Sequence, residues 1–350
     1  MVKVKSMNNL RNSVNPPSYE QIETKRDTWV DWGKTLLMFS IVLCHSGIST
    51  KSYLWTLIFA FNVPGFFIIS GYLYKPHDWK RTLKSFLIPI IFFSILNLGF
   101  ILAIDYKKGV NLSTIEIAKE IGNSYIFAGT PSHYTLFTGI WFIWVLLLCR
   151  LLMGDVKQMT IIRKNSLFSA LLLVGVTMLI VDRTTTSVFE EPIPFRVLSC
   201  FPFILLGYVT KQLNVLRFLW KPFFIAALFY FAISSRIGFI SIWSNDYGGN
   251  YLDFFILALM ASYVLFFICN KLPNCDFAVI ISKGTLLVLG IQPIIIHICG
   301  FIFRRIGISA NLTPWIISFI TLFLCYYPIK FCIKHCPILL GKVNKINPER

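Results

Sequence analysis

Ten apolar runs, each close to the length of a membrane-crossing helix, recur along the 350-residue chain: 30–49, 55–74, 84–104, 136–153, 166–181, 196–210, 218–240, 251–269, 277–302 and 310–332. A hydrocarbon layer about 30 Å thick takes roughly 20 apolar residues of helix. Backbone polar groups cannot stay unpaired in lipid, so helices are the natural way for such runs to cross it. The fifth and sixth runs are short, which fits a locally thinned bilayer or half-helices near a site. Hydrophobic residues are 56% of the chain and charged residues only 14%, and the 33 Phe are spread over its whole length. Soluble domains carry about 25% charged residues. The expected fold is all-α, a polytopic transmembrane helical bundle of about ten spans. Residues 1–29 read as a disordered polar tail, 30–335 as the membrane domain and 336–350 as a C-terminal tail.

The net charge of +17 comes from Lys and Arg in short stretches between the runs, not from one basic face, so nucleic acid is not an expected partner. With the N-terminus inside, 22 of the 33 Lys and Arg fall in inner segments and seven in outer loops. That asymmetry predicts cytoplasmic N- and C-termini. The first run follows a polar segment without a small-residue cleavage site, and reads as a retained span. Six of the nine Cys lie inside apolar runs, where a thiol acts as a small hydrophobe, and no disulfide framework is expected. His335 between Cys332 and Cys336 lacks a second ligand group with zinc spacing, so no metal is expected. Between about 105 and 135, Leu112, Ile115, Ala118 and Ile121 recur at helical spacing and predict a short helix on the outer surface.

Charged groups inside spans are costly, so each invites a functional reading. The first run carries Asp31, Lys34 and His45. Lys34 and His45 are eleven residues apart, within roughly 20° of one helix face and about 16 Å apart along the axis. This face offers a cation near the cytoplasmic mouth and an imidazole deep in the membrane, suited to proton transfer near neutrality. The structural alternative is that Lys34 snorkels or pairs with Asp31 while His45 hydrogen-bonds a neighbouring helix. Pro64 and Gly65, with Ser70 and Gly71 beyond them, mark a kinked, closely packed second span. Arg196 stands behind Glu190 and Glu191 and suits either a local salt bridge or a substrate contact. His133 and Trp141 flank the fourth span, where a sugar contact or plain interfacial anchoring fits. His297, among isoleucines, reads as structural.

Taken in order, several strings resemble acyltransferase family 3, polytopic bacterial enzymes that acylate sugars and surface polysaccharides with cytosolic acyl-CoA. Asp31 to Ser46 is similar to the family's first-span signature, a basic residue and a His with ten residues between. Asn62 to Tyr72 resembles its Pro, Phe-Phe, Ser-Gly-Tyr span. Arg81 and Lys84, followed by Pro89, resemble its pair of inner-loop basic residues. Trp141-Phe142, Arg196 with Phe203 to Tyr208, and Ser282 to Leu289 resemble later segments. Relatives often carry His where this chain has Asn62 and Gln292, neither of which takes up a proton near neutral pH.

The resemblance implies a membrane O-acyltransferase of the bacterial cytoplasmic (inner) membrane. It would move an acyl group, acetyl by family likeness, from acetyl-CoA to a sugar or polysaccharide hydroxyl. Lys34, Arg81 and Lys84 would hold the CoA phosphates. His45 would act as general base or acyl-imidazole, with Asp31, Asn62 and Ser70 in support, and Arg196, Trp141 and Gln292 would face the acceptor. A glycan or lipid-precursor transporter, or a catalytically silent assembly partner, remains the alternative.

Overall fold

The computed structural model describes residues 27–75, 78–109, 113, 115–116, 139–154, 164–184, 193–213 and 222–343. Residues 1–26 and 344–350, most of the expected surface helix, His133, Glu190 and Glu191 lie outside the described residues. Both expected tails are shorter than 1–29 and 336–350, since Trp29 is already buried in the first helix and Pro337–Leu340 form a 3-10 turn. Among these residues are eleven α-helices: α1 (Thr28–His45), α2 (Tyr53–Tyr72), α3 (Trp79–Lys107), α4 (Ile140–Leu152), α5 (Ser166–Thr184), α6 (Ile193–Gln212), α7 (Phe223–Ser234), α8 (Tyr251–Lys271), α9 (Asp276–Lys283), α10 (Thr285–Ile306) and α11 (Thr313–His335). Six of them, α2, α3, α6, α8, α10 and α11, are long and apolar enough to cross a membrane. Helices α4 and α7, and Ser166–Ile180 of α5, are shorter apolar helices.

Polarity is arranged as lipid demands. Ile91 and Ile95 on α3, Phe168 and Leu172 on α5, and Phe319, Phe323 and Tyr327 on α11 are exposed. Asp31, Asn62, Asn97, Arg196, Gln292 and Ser318 are buried. In water this distribution would be reversed; in a bilayer it keeps polar groups on the protein interior. The chain is all-α and polytopic; among the described residues the one exception is a small antiparallel ribbon, β1 (Ile240–Ser241) with β2 (Asp246–Tyr247).

Helix α1 occupies the middle of the bundle and touches α2, α8, α9, α10 and α11. Its start is pinned by polar side chains: Ser282 Oγ donates to Asp31 Oδ1 at 2.6 Å, Thr35 Oγ1 donates to the Ala278 carbonyl at 3.0 Å, and Trp32 Nε1 donates to the Pro273 carbonyl at 2.7 Å. Helices α2 and α6 make the closest crossing. A Cβ on Gly71 would stand 1.9 Å from the Ile204 carbonyl oxygen, and one on Gly207 would stand 2.0 Å from that of Ile68. Only glycine at both positions lets the two backbones approach so closely.

Three boundaries depart from the sequence reading. The first run does not stay helical to residue 49: α1 stops at His45, where the Ser46 N–H closes on the Leu43 carbonyl and Gly47 takes a φ of +106°. The seventh run does not continue to residue 240. Helix α7 ends at Ser234, and the apolar residues beyond it build the ribbon, which packs onto α2 as Trp55 Nε1 donates to the Ile240 carbonyl at 3.0 Å. The ninth run is two helices, broken at Gly284, where a Cβ would meet the Ile329 side chain at 2.3 Å.

Candidate active site

At the end of the bundle where α1 begins, the helices leave a cavity of about 360 Å³. Its basic lining residues are Lys34 from α1, Arg150 from the last turn of α4, Lys283 from the last residue of α9, and Lys342 beyond α11. Ser70, Ser282 and Thr285 add hydroxyls, while Phe66, Ile69 and Phe86 supply apolar wall. No carboxylate is among the lining residues. Arg150 Nε donates to Ser70 Oγ at 3.1 Å and its guanidinium lies over the Phe86 ring, 6.0 Å from the centroid. Four cations, two of them on helix C-terminal turns, thus surround a partly apolar cleft. Lys and Arg at helix C-termini are stabilised there by the helix dipole.

The expected anion-binding residues are only partly brought together. Lys34 lines the cavity; Arg81 and Lys84 do not. Arg81 instead donates through Nη2 to the Val343 carbonyl at 2.9 Å, which fixes the segment that carries Lys342, and Lys84 is exposed. Arg150, Lys283 and Lys342 were not singled out in the sequence. Arg150 had a signal: it is a cation inside an unbroken apolar string, Leu146 to Leu152. Lys283 sits beside the break at Gly284, within a run that is apolar enough to predict one continuous helix.

From the cavity, the face of α1 that carries Lys34 continues through Met38 and Ile41 to His45. Met38 is fully buried and Ile41 nearly so, and the cavity stops short of them. His45 lies past this plug. It is exposed. It therefore sits at the far end of α1 and not in the packed interior. No hydrogen bond joins its ring to another of the described residues.

Two polar groups lie level with the plug. Asn62 is seven residues from Ile69, and Gln292 is seven from Thr285. Each is thus on the face that lines the cavity, about 10.5 Å farther along its helix. Asn62 is buried, its Oδ1 accepting from the Val63 N–H at 2.7 Å. Gln292 is also buried, and neither its Oε1 nor its Nε2 has a hydrogen-bond partner. An unpaired buried amide costs on the order of 1–3 kcal/mol per group. His297 packs edge-on against Phe100, with ring centroids 5.8 Å apart.

Arg196 and Trp141 do meet, at the end opposite the cavity. The Arg196 guanidinium lies over both the Trp141 and Trp243 rings, 5.8 and 5.6 Å from their centroids, and Nε donates to the Trp243 carbonyl at 2.8 Å. Both Arg196 and Trp141 are buried. This clamp ties α4 and α6 to the segment between β1 and β2.

A helical bundle with an apolar exterior, polar groups buried within it and a cation-lined cavity at one end has the build of a multi-pass membrane protein. A family model described as an acyltransferase domain matches residues 27–330, most of the chain. The chain belongs to acyltransferase family 3, and is a membrane acyltransferase. No curated protein matches it, and no solved structure does.

Proposed function

We propose that the protein transfers an acyl group, acetyl on the grounds of family, from cytosolic acyl-CoA to a hydroxyl of an exported or cell-surface sugar. It would do so in the bacterial cytoplasmic membrane, with ten spans and both termini in the cytoplasm. The cation-lined cavity at the start of α1 carries this reading. CoA joins a highly charged phosphate end to a slender pantetheine arm, and the cavity pairs four cations with an apolar wall pointing along α1. Lys34, Arg150, Lys283 and Lys342 would hold the phosphates, with Arg81 and Lys84 extending the basic field around the mouth.

The arm then follows the face of α1 towards His45. The rise of about 16 Å from Lys34 suits its reach, and Met38, flexible and unbranched, has to swing aside together with Ile41. At the thioester, His45 takes the proton of the acceptor hydroxyl as its oxygen attacks the carbonyl carbon. A C–O bond forms, the C–S bond breaks, and the proton passes to the departing thiolate. Through an acyl-imidazole the same balance holds in two steps. Gln292 Nε2 donates to the carbonyl oxygen as negative charge builds there. Asp31, fixed by Ser282, Asn62 and Ser70 position the helices around this lane. The Arg196–Trp141 clamp shapes the acceptor side.

Purified protein in vesicles, given labelled acetyl-CoA and a sugar acceptor, is expected to place label on the sugar. Movement of unlabelled sugar across the membrane without label transfer would support a transporter instead. The break at Gly284 favours that second reading, because interrupted helices line many transporter sites. Arg150→Ala and Lys283→Ala are each expected to weaken acyl-CoA binding about 10-fold or more, the worth of one charge-assisted contact. Unchanged affinity in the double variant would reject the cavity as the CoA site. Met38→Trp is expected to leave acyl-CoA affinity intact and block transfer; retained turnover would show that the arm does not take this lane.

A further inference from the structure

On the opposite side of the α1–α2 pair from the cation-lined cavity, but at the same end of the bundle, lies a second recess of about 340 Å³. Its walls are almost wholly apolar and include Trp29, Tyr72, Ala226, Leu259, Met260 and Phe266. Its size falls in the range of small-ligand sites. Its mouth is set by helix ends: the start of α1 at Trp29, the end of α2 at Tyr72, the end of α6 at Thr210 and the start of α7 beside Pro222.

Three polar features give this recess a chemistry beyond that of a lipid-filled crevice. Lys211 Nζ lies over the Tyr72 ring, 5.3 Å from its centroid. The Tyr72 hydroxyl donates to Asp27 Oδ2 at 3.2 Å. A cation and an anion, both exposed, thus flank one tyrosine at the mouth without forming an ion pair with each other. Farther in, one helical turn along α8 from Phe266, Ser262 lines the wall; its hydroxyl is buried and has no hydrogen-bond partner.

We propose that this recess is a binding site for a zwitterionic aminophospholipid of the adjoining leaflet. One acyl chain occupies the apolar recess. The phosphate sits on Lys211 and the ammonium on Asp27. Ser262 donates to an ester carbonyl, which in such a lipid lies about one turn inward of the phosphate. Trp29 and Tyr72 occupy the interfacial level where amphipathic rings are favoured. A purely anionic lipid would satisfy Lys211 but leave Asp27 facing a phosphate with no counter-ion. The site stands apart from the acyl-transfer reading, since none of its residues lines the cation-lined cavity.

The full-length protein, delipidated in mild detergent and offered phosphatidylethanolamine or phosphatidylglycerol, is to be followed by native mass spectrometry. The wild type is expected to retain one phosphatidylethanolamine in preference to phosphatidylglycerol. Lys211→Gln is expected to lower retention of both lipids about fivefold, the usual worth of one basic residue at a membrane surface. Asp27→Asn is expected to erase the preference between them while keeping a bound lipid. Ala226→Trp, which fills the recess, is expected to lose the retained lipid. Equal retention of both lipids by the wild type overturns the proposal, as does unchanged selectivity in Asp27→Asn. The two charge variants lie at exposed positions, so they decide the matter even where Ala226→Trp does not fold.

Discussion

His45→Ala is expected to cut acyl transfer by about 10²- to 10⁴-fold, the range a positioned general base contributes, while acyl-CoA affinity stays within about twofold of the wild type. The two effects separate because His45 and the cation-lined cavity lie at opposite ends of the buried Met38–Ile41 plug. The imidazole makes no hydrogen bond to another of the described residues, and its loss leaves no buried group orphaned, so folding and insertion are expected to survive. His45→Gln keeps a hydrogen-bonding group but cannot accept the hydroxyl proton, and is expected to be as inactive as the alanine variant. Transfer at the wild-type rate by either variant would remove His45 from the chemistry and leave the cavity as a binding site without a base beside it.

The sequence carried the helical architecture because apolar runs of membrane-crossing length have few other solutions. Every one of the ten runs contains helix. What it could not carry was where each run stops being helix. The run from 218 to 240 is mostly apolar, and the helix ends where Ser234, Ser235, Arg236 and Gly238 interrupt it, so that Ile237, Ile240 and Ile242 are buried in and around a ribbon and not on a longer α7. Apolar content says that a residue avoids water; it does not say which backbone shape removes it. The breaks at Gly47 and Gly284 have different causes, a positive φ in one and a close approach to Ile329 in the other. A glycine in a sequence does not distinguish them.

The candidate site was legible along one helix and much less so across helices. Periodicity placed Lys34 and His45 on one face of α1, and the structure keeps them on it, but periodicity is silent about what fills the space between. Met38 and Ile41 look like any lipid-facing pair until the surrounding helices bury them. Arg150 could be weighed only as a topological charge, because its meaning comes from Ser70 on another helix. Arg196 and Trp141 were each chosen for a contact with substrate; together with Trp243 they make a clamp, a juxtaposition that needs three separate segments to fold first. Gln292 reads in the sequence as a His position lost. In the structure its amide is buried with neither atom hydrogen-bonded, a state that only the packing of neighbouring helices reveals.

Gly71→Ala and Gly207→Ala are each expected to destabilise the bundle by about 3 kcal/mol, at the upper end of the usual overpacking cost. The reason is the identity of the obstructing atoms. At both positions the new methyl meets a backbone carbonyl oxygen, at 1.9 and 2.0 Å, and a carbonyl inside a helix cannot rotate away as a side chain can. Relief requires α2 and α6 to move apart along the crossing, which also loosens α5, because α5 packs on α6. Once the helices have separated for one methyl, the second finds room. The double variant is therefore expected to cost clearly less than the sum of the single ones, as coupled neighbours do. Gly99→Ala and Gly175→Ala supply the control: both lie on helices, nothing stands within 4 Å of the added carbon, and the better helix former is expected to be neutral or stabilising by up to about 1 kcal/mol. Apparent melting temperatures in detergent, read from loss of the monodisperse peak, measure all five variants. Additive losses at Gly71 and Gly207, or losses no larger than at Gly99, would mean that the α2–α6 crossing does not hold the two backbones in contact.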